Sequence, residues 1–286
     1  MTTPLGSVVV IGGGTMGAGI AQSLIEVGTS VAVVEPDVER ARAARDRVAA
    51  GLRERFKHEA NSEDRVQELL ALLAVRVGMA VPAGEEQPVL VVEAVLEDLD
   101  LKAEILGAAE VAFSGAAVLA SNTSSLSIDA LAGRLVRPGS FLGMHFFNPV
   151  PRSALVELVV GSATTPATLG AARSWVEALG KESIEVRDSP GFATSRLGVA
   201  LGLEAIRMLE EGVASAEDID RGMVLGYRFP VGPLRLSDLV GLDVRLAIAE
   251  YLEATLGPRF TPPRLLREKV ARGELGRKAG RGFYRW

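Results

Sequence analysis

The chain has no cysteine. Disulfides, thiolate nucleophiles and cysteine-based metal sites are excluded outright. It has only two histidines, His58 and His145, far apart in sequence, so a histidine-rich metal centre is not expected. No apolar window approaches the roughly twenty residues that span a bilayer, and Met1 to Gly6 carries no basic stretch ahead of an apolar run. A soluble cytoplasmic protein is the expectation. Long runs of one charge are missing too. A net charge of −5 spread over 286 residues argues against nucleic acid or an anionic membrane as the main partner, because both need a concentrated positive face. A small molecule is the expected partner. With 48% hydrophobic and 23% charged residues the chain can build two medium cores.

Ser7 to Ile11 is a short β-branched run leading into Gly12-Gly13-Gly14-Thr15-Met16-Gly17, after which Ala18 to Val27 has helical spacing closed by Gly28. A second apolar run, Val31 to Val34, ends at Glu35. Strand, glycine turn, helix and strand follow at the length of a βαβ unit, with an acidic residue where the dinucleotide-binding fold puts one. In that context a coincidental glycine-rich turn is a poor explanation. Gly12 allows the tight turn, Gly14 lets the backbone approach a pyrophosphate, and Gly17 permits close helix packing. Thr15 and Met16 complete the expected cofactor contacts at the helix amino terminus, which supplies donors and partial positive charge. Glu35 is expected to accept both hydroxyls of an adenine ribose and to repel a 2′-phosphate, favouring NAD over NADP. Arg40 and Arg42 nearby work in the other direction.

Asp37 to Leu73 reads as a helical hairpin with a break at Asn61-Ser62, where Ser62 can cap a second helix. Its Arg53, Arg55, Lys57 and His58 form a basic patch that serves either as a solvated helix face or as the contact for a phosphate-rich ligand. Val89 to Val95 is a strand, Leu99 to Phe113 a helix, and Val118 to Ala120 a strand running into Ser121-Asn122-Thr123-Ser124-Ser125. Polar residues there sit at the ligand-binding end of an α/β sheet, although Ser124 or Ser125 could instead cap a helix near Ile128.

Met144 to Phe147 and Leu155 to Val159 read as strands turning around Pro149 to Arg152, which places His145 and Glu157 equidistant from Pro151 and opposite each other across an antiparallel pair. A carboxylate on one imidazole nitrogen fixes the tautomer and leaves the other nitrogen free to take a proton, as general-base work requires. The plain alternative is a hydrogen-bonded structural histidine. Pro166 to Leu179 is helical and Ser183 to Val186 a last strand, so the sheet-forming domain is expected over 1–187. From Asp188 the pattern is helical only: Gly191 to Glu211, Ala216 to Leu225 capped by Ser215, Leu242 to Leu256, and Pro262 to Arg272. The first of these carries small residues (Gly198, Ala200, Gly202, Ala205) and reads as a subunit contact, giving a homodimer. The expected class is α/β: a Rossmann-like domain with a helical-hairpin insertion, then an all-α domain over 188–286 for substrate closure and dimerisation.

With these pieces in place the chain resembles the L-3-hydroxyacyl-CoA dehydrogenase family, in particular its short monofunctional bacterial members. The marks are the glycine turn, Val92-Glu93-Ala94-Val95-Leu96-Glu97, Ser121-Asn122-Thr123-Ser124, His145-Phe146-Phe147-Asn148-Pro149-Val150-Pro151, Asp188-Ser189-Pro190-Gly191-Phe192, Gly232-Pro233 with Asp238 to Asp243, and Gly280-Arg281-Gly282-Phe283-Tyr284. The resemblance implies NAD as cofactor and an acyl-CoA substrate. It makes His145 the base and Glu157 its partner, sets Ser124 and Asn148 near substrate and nicotinamide, and gives Glu97, Lys102 and Lys278 as NAD contacts. Two departures stand out. Ser195 occupies a position where the family commonly has asparagine, and Gly51 falls where a CoA-contacting serine is expected, leaving Arg53, Arg55 and Lys57 as candidates for a CoA phosphate. An L-gulonate-type dehydrogenase acting on a free sugar acid and a crystallin-like nucleotide-binding structural protein are the alternatives. A tyrosine base with lysine four residues on is absent, since Tyr227 is followed at that spacing by Val231 and Tyr251 by Thr255.

Overall fold

A computed structural model describes residues 5–80, 86–113 and 117–286. Of the amino-terminal stretch read above, Met1 to Pro4 lie outside these. The contacts divide the chain into two compact units, Met1–Asp188 and Ser189–Trp286. Asp188 stays with the first because its Oδ2 accepts from Ser127 Oγ at 2.8 Å and from the Asp129 amide at 2.9 Å.

The first unit is built on an eight-stranded sheet. Its strands are β1 (Val8–Ile11), β2 (Val31–Glu35), β3 (Leu73–Val77), β4 (Leu90–Glu93), β5 (Val118–Ser121), β6 (Phe141–Phe146), β7 (Leu155–Val160) and β8 (Glu182–Arg187), in the spatial order β3-β2-β1-β4-β5-β6-β7-β8. Its helices are α1 (Thr15–Glu26), α2 (Val38–Phe56), α3 (Ser62–Leu70), α4 (Leu99–Ala112), α5 (Ile128–Ala132) and α6 (Pro166–Ala178). The β-branched strands β1 and β2 are buried along their whole length, as strands covered on both faces must be. All neighbours pair in parallel except β6 and β7. The register sets Ile11 beside Glu93 and Glu93 beside Ser121, so the carboxyl ends of β1, β4 and β5 form one rim. Ligands bind beyond such a rim.

Three local expectations are corrected. Leu73, expected to close the helical hairpin, begins β3, which pairs in parallel with β2 at the sheet edge; its outer residues are only partly buried, so no clean alternation marks it in sequence. Ser62 is the first helical residue of α3 rather than its cap, and Asn61 before it makes no side-chain capping bond. Neither Ser124 nor Ser125 caps α5: Ser127 does, accepting from the Ala130 amide at 3.1 Å.

The second unit comprises α7 (Thr194–Glu210), α8 (Ala216–Arg221), α9 (Pro233–Val240), α10 (Leu242–Leu256) and α11 (Arg264–Ala271), around a core that includes Leu203, Ile206, Leu234, Leu242, Leu252 and Leu266. Ser215 caps α8 by accepting from the Asp218 amide at 3.1 Å, but this helix ends at Arg221 and widens into a π turn over Gly222–Gly226. Helix α9 was not expected. Pro233 at its first turn and Gly241 at φ 104° past its end are ordinary start and stop signals over too short a span to stand out. Asp220 receives the amides of Leu234 and Arg235 at its start, 2.8 and 2.9 Å away.

Candidate active site

The glycine turn has the shape a dinucleotide needs. Gly12 lies at φ 93°, where a side chain would be strained, and a Cβ on Gly17 would fall 1.7 Å from the Gly12 carbonyl oxygen. A Cβ on Gly14 would meet nothing within 4 Å, so the face over the α1 amino terminus is open. No side chain caps α1 and no acidic residue stands in its first turn, which leaves its amides and dipole available to an anion. Thr15 is exposed and Met16 half-buried beside this opening. Glu35, at the end of β2, spends Oε1 on the Gly13 amide at 2.6 Å, while Oε2 has no hydrogen-bond partner among the described residues. One carboxylate oxygen thus fixes the turn, and the other can still accept a hydrogen bond. Arg40 is exposed and lies 3.5 Å from Asp37. The residues present fit NAD.

At the next strand ends, Glu93 and Lys102 form a buried ion pair at 2.7 Å, and Lys102 Nζ also lies 3.3 Å from Glu97 Oε2. Lys102 is 1% exposed, its ammonium enclosed by these carboxylates and the Val95 carbonyl at 3.3 Å. Glu97 Oε1 accepts from Thr123 Oγ1 at 2.7 Å and from the amide and hydroxyl of Ser124 at 2.9 and 3.1 Å. Burial pushes the Glu97 carboxyl up, but the Lys102 charge and these hydrogen bonds outweigh it and hold it below the usual carboxylate range.

His145 and Glu157 stand directly opposite each other on β6 and β7. His145 Nδ1 is 2.9 Å from Glu157 Oε2, with the histidine 6% and the glutamate 0% exposed. The Phe147 ring lies against the imidazole at 4.4 Å between centroids. Asn122 ties this hairpin to β5: its Oδ1 accepts from the Phe146 amide at 2.9 Å and its own amide donates to the Glu93 carbonyl at 2.8 Å. Asn148, two residues past the end of β6, is exposed.

The basic patch resolves into separate roles. Arg53 is bonded to Glu63 through Nε and Nη2 at 3.1 and 3.0 Å, and this guanidinium holds the Glu63 carboxyl down at about 2. Lys57 donates to Glu54 at 2.8 Å. Arg55 instead lines a pocket of about 180 Å³ with Gln22, Gly51, Glu54, Pro149, Pro151 and Arg152. A Cβ on Gly51 would meet Gln22 Oε1 at 2.1 Å, so the glycine makes room for that amide. Arg152 was missed from sequence, where it appeared only as a turn residue. In the second unit, Lys278 Nζ donates to Asp243 at 2.6 Å, and Ser195 is half-buried in the first turn of α7.

The family model described as "3-hydroxyacyl-CoA dehydrogenase, NAD binding domain" matches residues 7–189, and that described as "3-hydroxyacyl-CoA dehydrogenase, C-terminal domain" matches 191–286. A 3-hydroxybutyryl-CoA dehydrogenase of Mycobacterium tuberculosis is 40% identical over 99% of both chains. The crystal structure of M. tuberculosis FadB2 superposes with a TM-score of 0.92 at 40% identity, covering 98% of each chain. That of (S)-3-hydroxybutyryl-CoA dehydrogenase PaaH1 from Ralstonia eutropha gives 0.90 at 40% identity, again over 98% of each. Matched along its whole length, on the sheet unit and the helical unit alike, the chain belongs to the 3-hydroxyacyl-CoA dehydrogenase family.

Proposed function

We propose that this NAD-dependent 3-hydroxyacyl-CoA dehydrogenase acts on a short acyl chain, with His145 as its base, oxidising an L-3-hydroxyacyl-CoA to the 3-ketoacyl-CoA or running the reduction back. The observation that carries the reading is the buried 2.9 Å pair of His145 Nδ1 and Glu157 Oε2. With Glu157 accepting at Nδ1, the proton resides there and Nε2 is the atom that takes a proton from the substrate hydroxyl. Glu157 then stabilises the imidazolium in a site shielded from water. Bound NAD supplies the acceptor for the hydride leaving C3. In the reverse direction the imidazolium returns its proton to the C3 oxygen, and the Asn148 amide donates where negative charge builds, joined by the Ser124 hydroxyl once its one proton turns from Glu97 to the substrate while the Ser124 amide stays on Glu97. Glu97 and Glu35 hold the cofactor side of the site, with Lys102 acting through Glu97 and Lys278 as a further cofactor contact. The short acyl chain follows from the relatives named above, whose substrates carry a four-carbon acyl group.

The pocket beside the β6–β7 turn suits the CoA handle, since Arg55 and Arg152 offer two cations to phosphate. Replacing both with alanine should raise KM for the thioester about tenfold, the range for losing a charged contact, while kcat and KM for NADH stay put. An unchanged thioester KM in steady-state kinetics would move the nucleotide elsewhere. The two arginines weigh against a sugar acid without CoA, and a buried base with its orienter against a purely structural role. Exposed Leu197, Leu225 and Tyr227 support the helical unit as the homodimer contact; light scattering should then give twice the 30.1 kDa of one chain, and a monomer mass would reject it. A cytoplasmic location is part of the same reading: no helix among the described residues is long and apolar enough to cross a membrane.

A further inference from the structure

One buried carboxylate has no part in the mechanism above. Glu93 closes β4 in an otherwise apolar strand and is fully buried. Its Oε1 accepts from Lys102 Nζ and from the Val95 amide, both at 2.7 Å, and its Oε2 accepts from Ser121 Oγ at 2.6 Å. Three separate pieces of chain therefore converge on one side chain: the loop after β4, helix α4 and the end of β5. From Lys102 the contacts continue to Glu97 at 3.3 Å, and from Glu97 to both the amide and the hydroxyl of Ser124.

Stability alone does not account for the group. A buried ion pair is weak evidence for stability, because its desolvation cost rivals its attraction and apolar residues of similar volume often serve as well. What a fully satisfied buried network does provide is a single fixed arrangement of its members. Here the arrangement sets where Ser124 sits. Two carboxylates share one ammonium, so neutralising Glu93 would leave Lys102 to Glu97 alone and draw Glu97 away from the serine it now holds at two atoms.

We propose that Glu93 is a positioning residue for the reaction, acting through Lys102 and Glu97 to fix Ser124. The proposal rests on the reading that Ser124 meets the C3 oxygen of the substrate. A double-mutant cycle on kcat, normalised to the folded fraction by circular dichroism, tests both. Ser124→Ala alone should lower kcat; a wild-type kcat there would show that the reading of Ser124 is wrong and leave Glu93 nothing to act through. Glu93→Gln should lower kcat about tenfold, the lower end for supporting-shell partners, and less than about twofold when Ser124 is already alanine. A purely structural glutamate would give the same loss in both backgrounds, and that result, or a wild-type kcat for Glu93→Gln, would overturn the proposal while leaving Ser124 in place. If Glu93→Gln does not fold, Glu93→Asp keeps the charge but shortens the reach, and it carries the same cycle with a smaller drop and the same required coupling.

Discussion

Replacing His145 with glutamine should lower kcat by roughly 10²- to 10⁴-fold, the range for losing a positioned acid or base. Glutamine keeps a polar side chain of similar length on β6, and it can still hydrogen-bond to Glu157. It cannot take up a proton at neutral pH. The loss should fall on turnover rather than on cofactor binding, because the glycine turn, the α1 amino terminus and Glu35 belong to β1, α1 and β2, which β4 and β5 separate from β6 in the sheet. Fluorescence titration should therefore give an NADH Kd within a few-fold of the parent. A variant that keeps more than about a tenth of its turnover would take His145 out of the chemistry.

The second large effect is expected at Gly17. A methyl group there would fall 1.7 Å from the Gly12 carbonyl oxygen and 3.3 Å from Val10 Cγ1. The oxygen cannot step aside, since Gly12 is pinned by the hydrogen bond its N–H donates to the Val34 carbonyl at 2.9 Å. Helix α1 must then lift from β1. Overpacking of this kind costs about 1–3 kcal/mol or more, so Gly17→Ala should both lower the melting temperature and weaken NADH binding by about tenfold to a hundredfold. Gly14→Ala is the informative contrast. Its Cβ would meet nothing within 4 Å, so the fold should keep its stability and lose only affinity for the cofactor. Equal melting losses for the two variants would show that packing of the turn is not what distinguishes these glycines.

The features that are legible in the sequence are the ones whose geometry is local. The glycine turn is one continuous segment, and the register of His145 with Glu157 follows from two strands folding symmetrically about Pro151. What escaped the sequence depends on distant partners. Glu93 ends a run of apolar residues and gains its role only from Ser121, 28 positions on, and from Lys102 on the next helix. The pocket that sorts Arg55 from Arg53 and Lys57 is assembled from α1, α2 and the β6–β7 turn, so Arg152 carries no mark of it. Likewise β3 exists because β2 offers it an edge to pair with, while its own residues, with Arg76 in the middle, show little strand pattern. Ser124 and Ser125 had two readings in sequence, cap or ligand group, and it is the Glu97 carboxylate 27 and 28 residues earlier that claims both.

The most direct test of the proposed reaction is oxidation of NADH by the purified protein with acetoacetyl-CoA, run beside NADPH and beside a ketoacid lacking CoA. Fast turnover is expected only for NADH with the thioester, because Glu35 leaves no place for a 2′-phosphate and the two arginines await the CoA handle. Turnover of the free ketoacid with none of the thioester would contradict it.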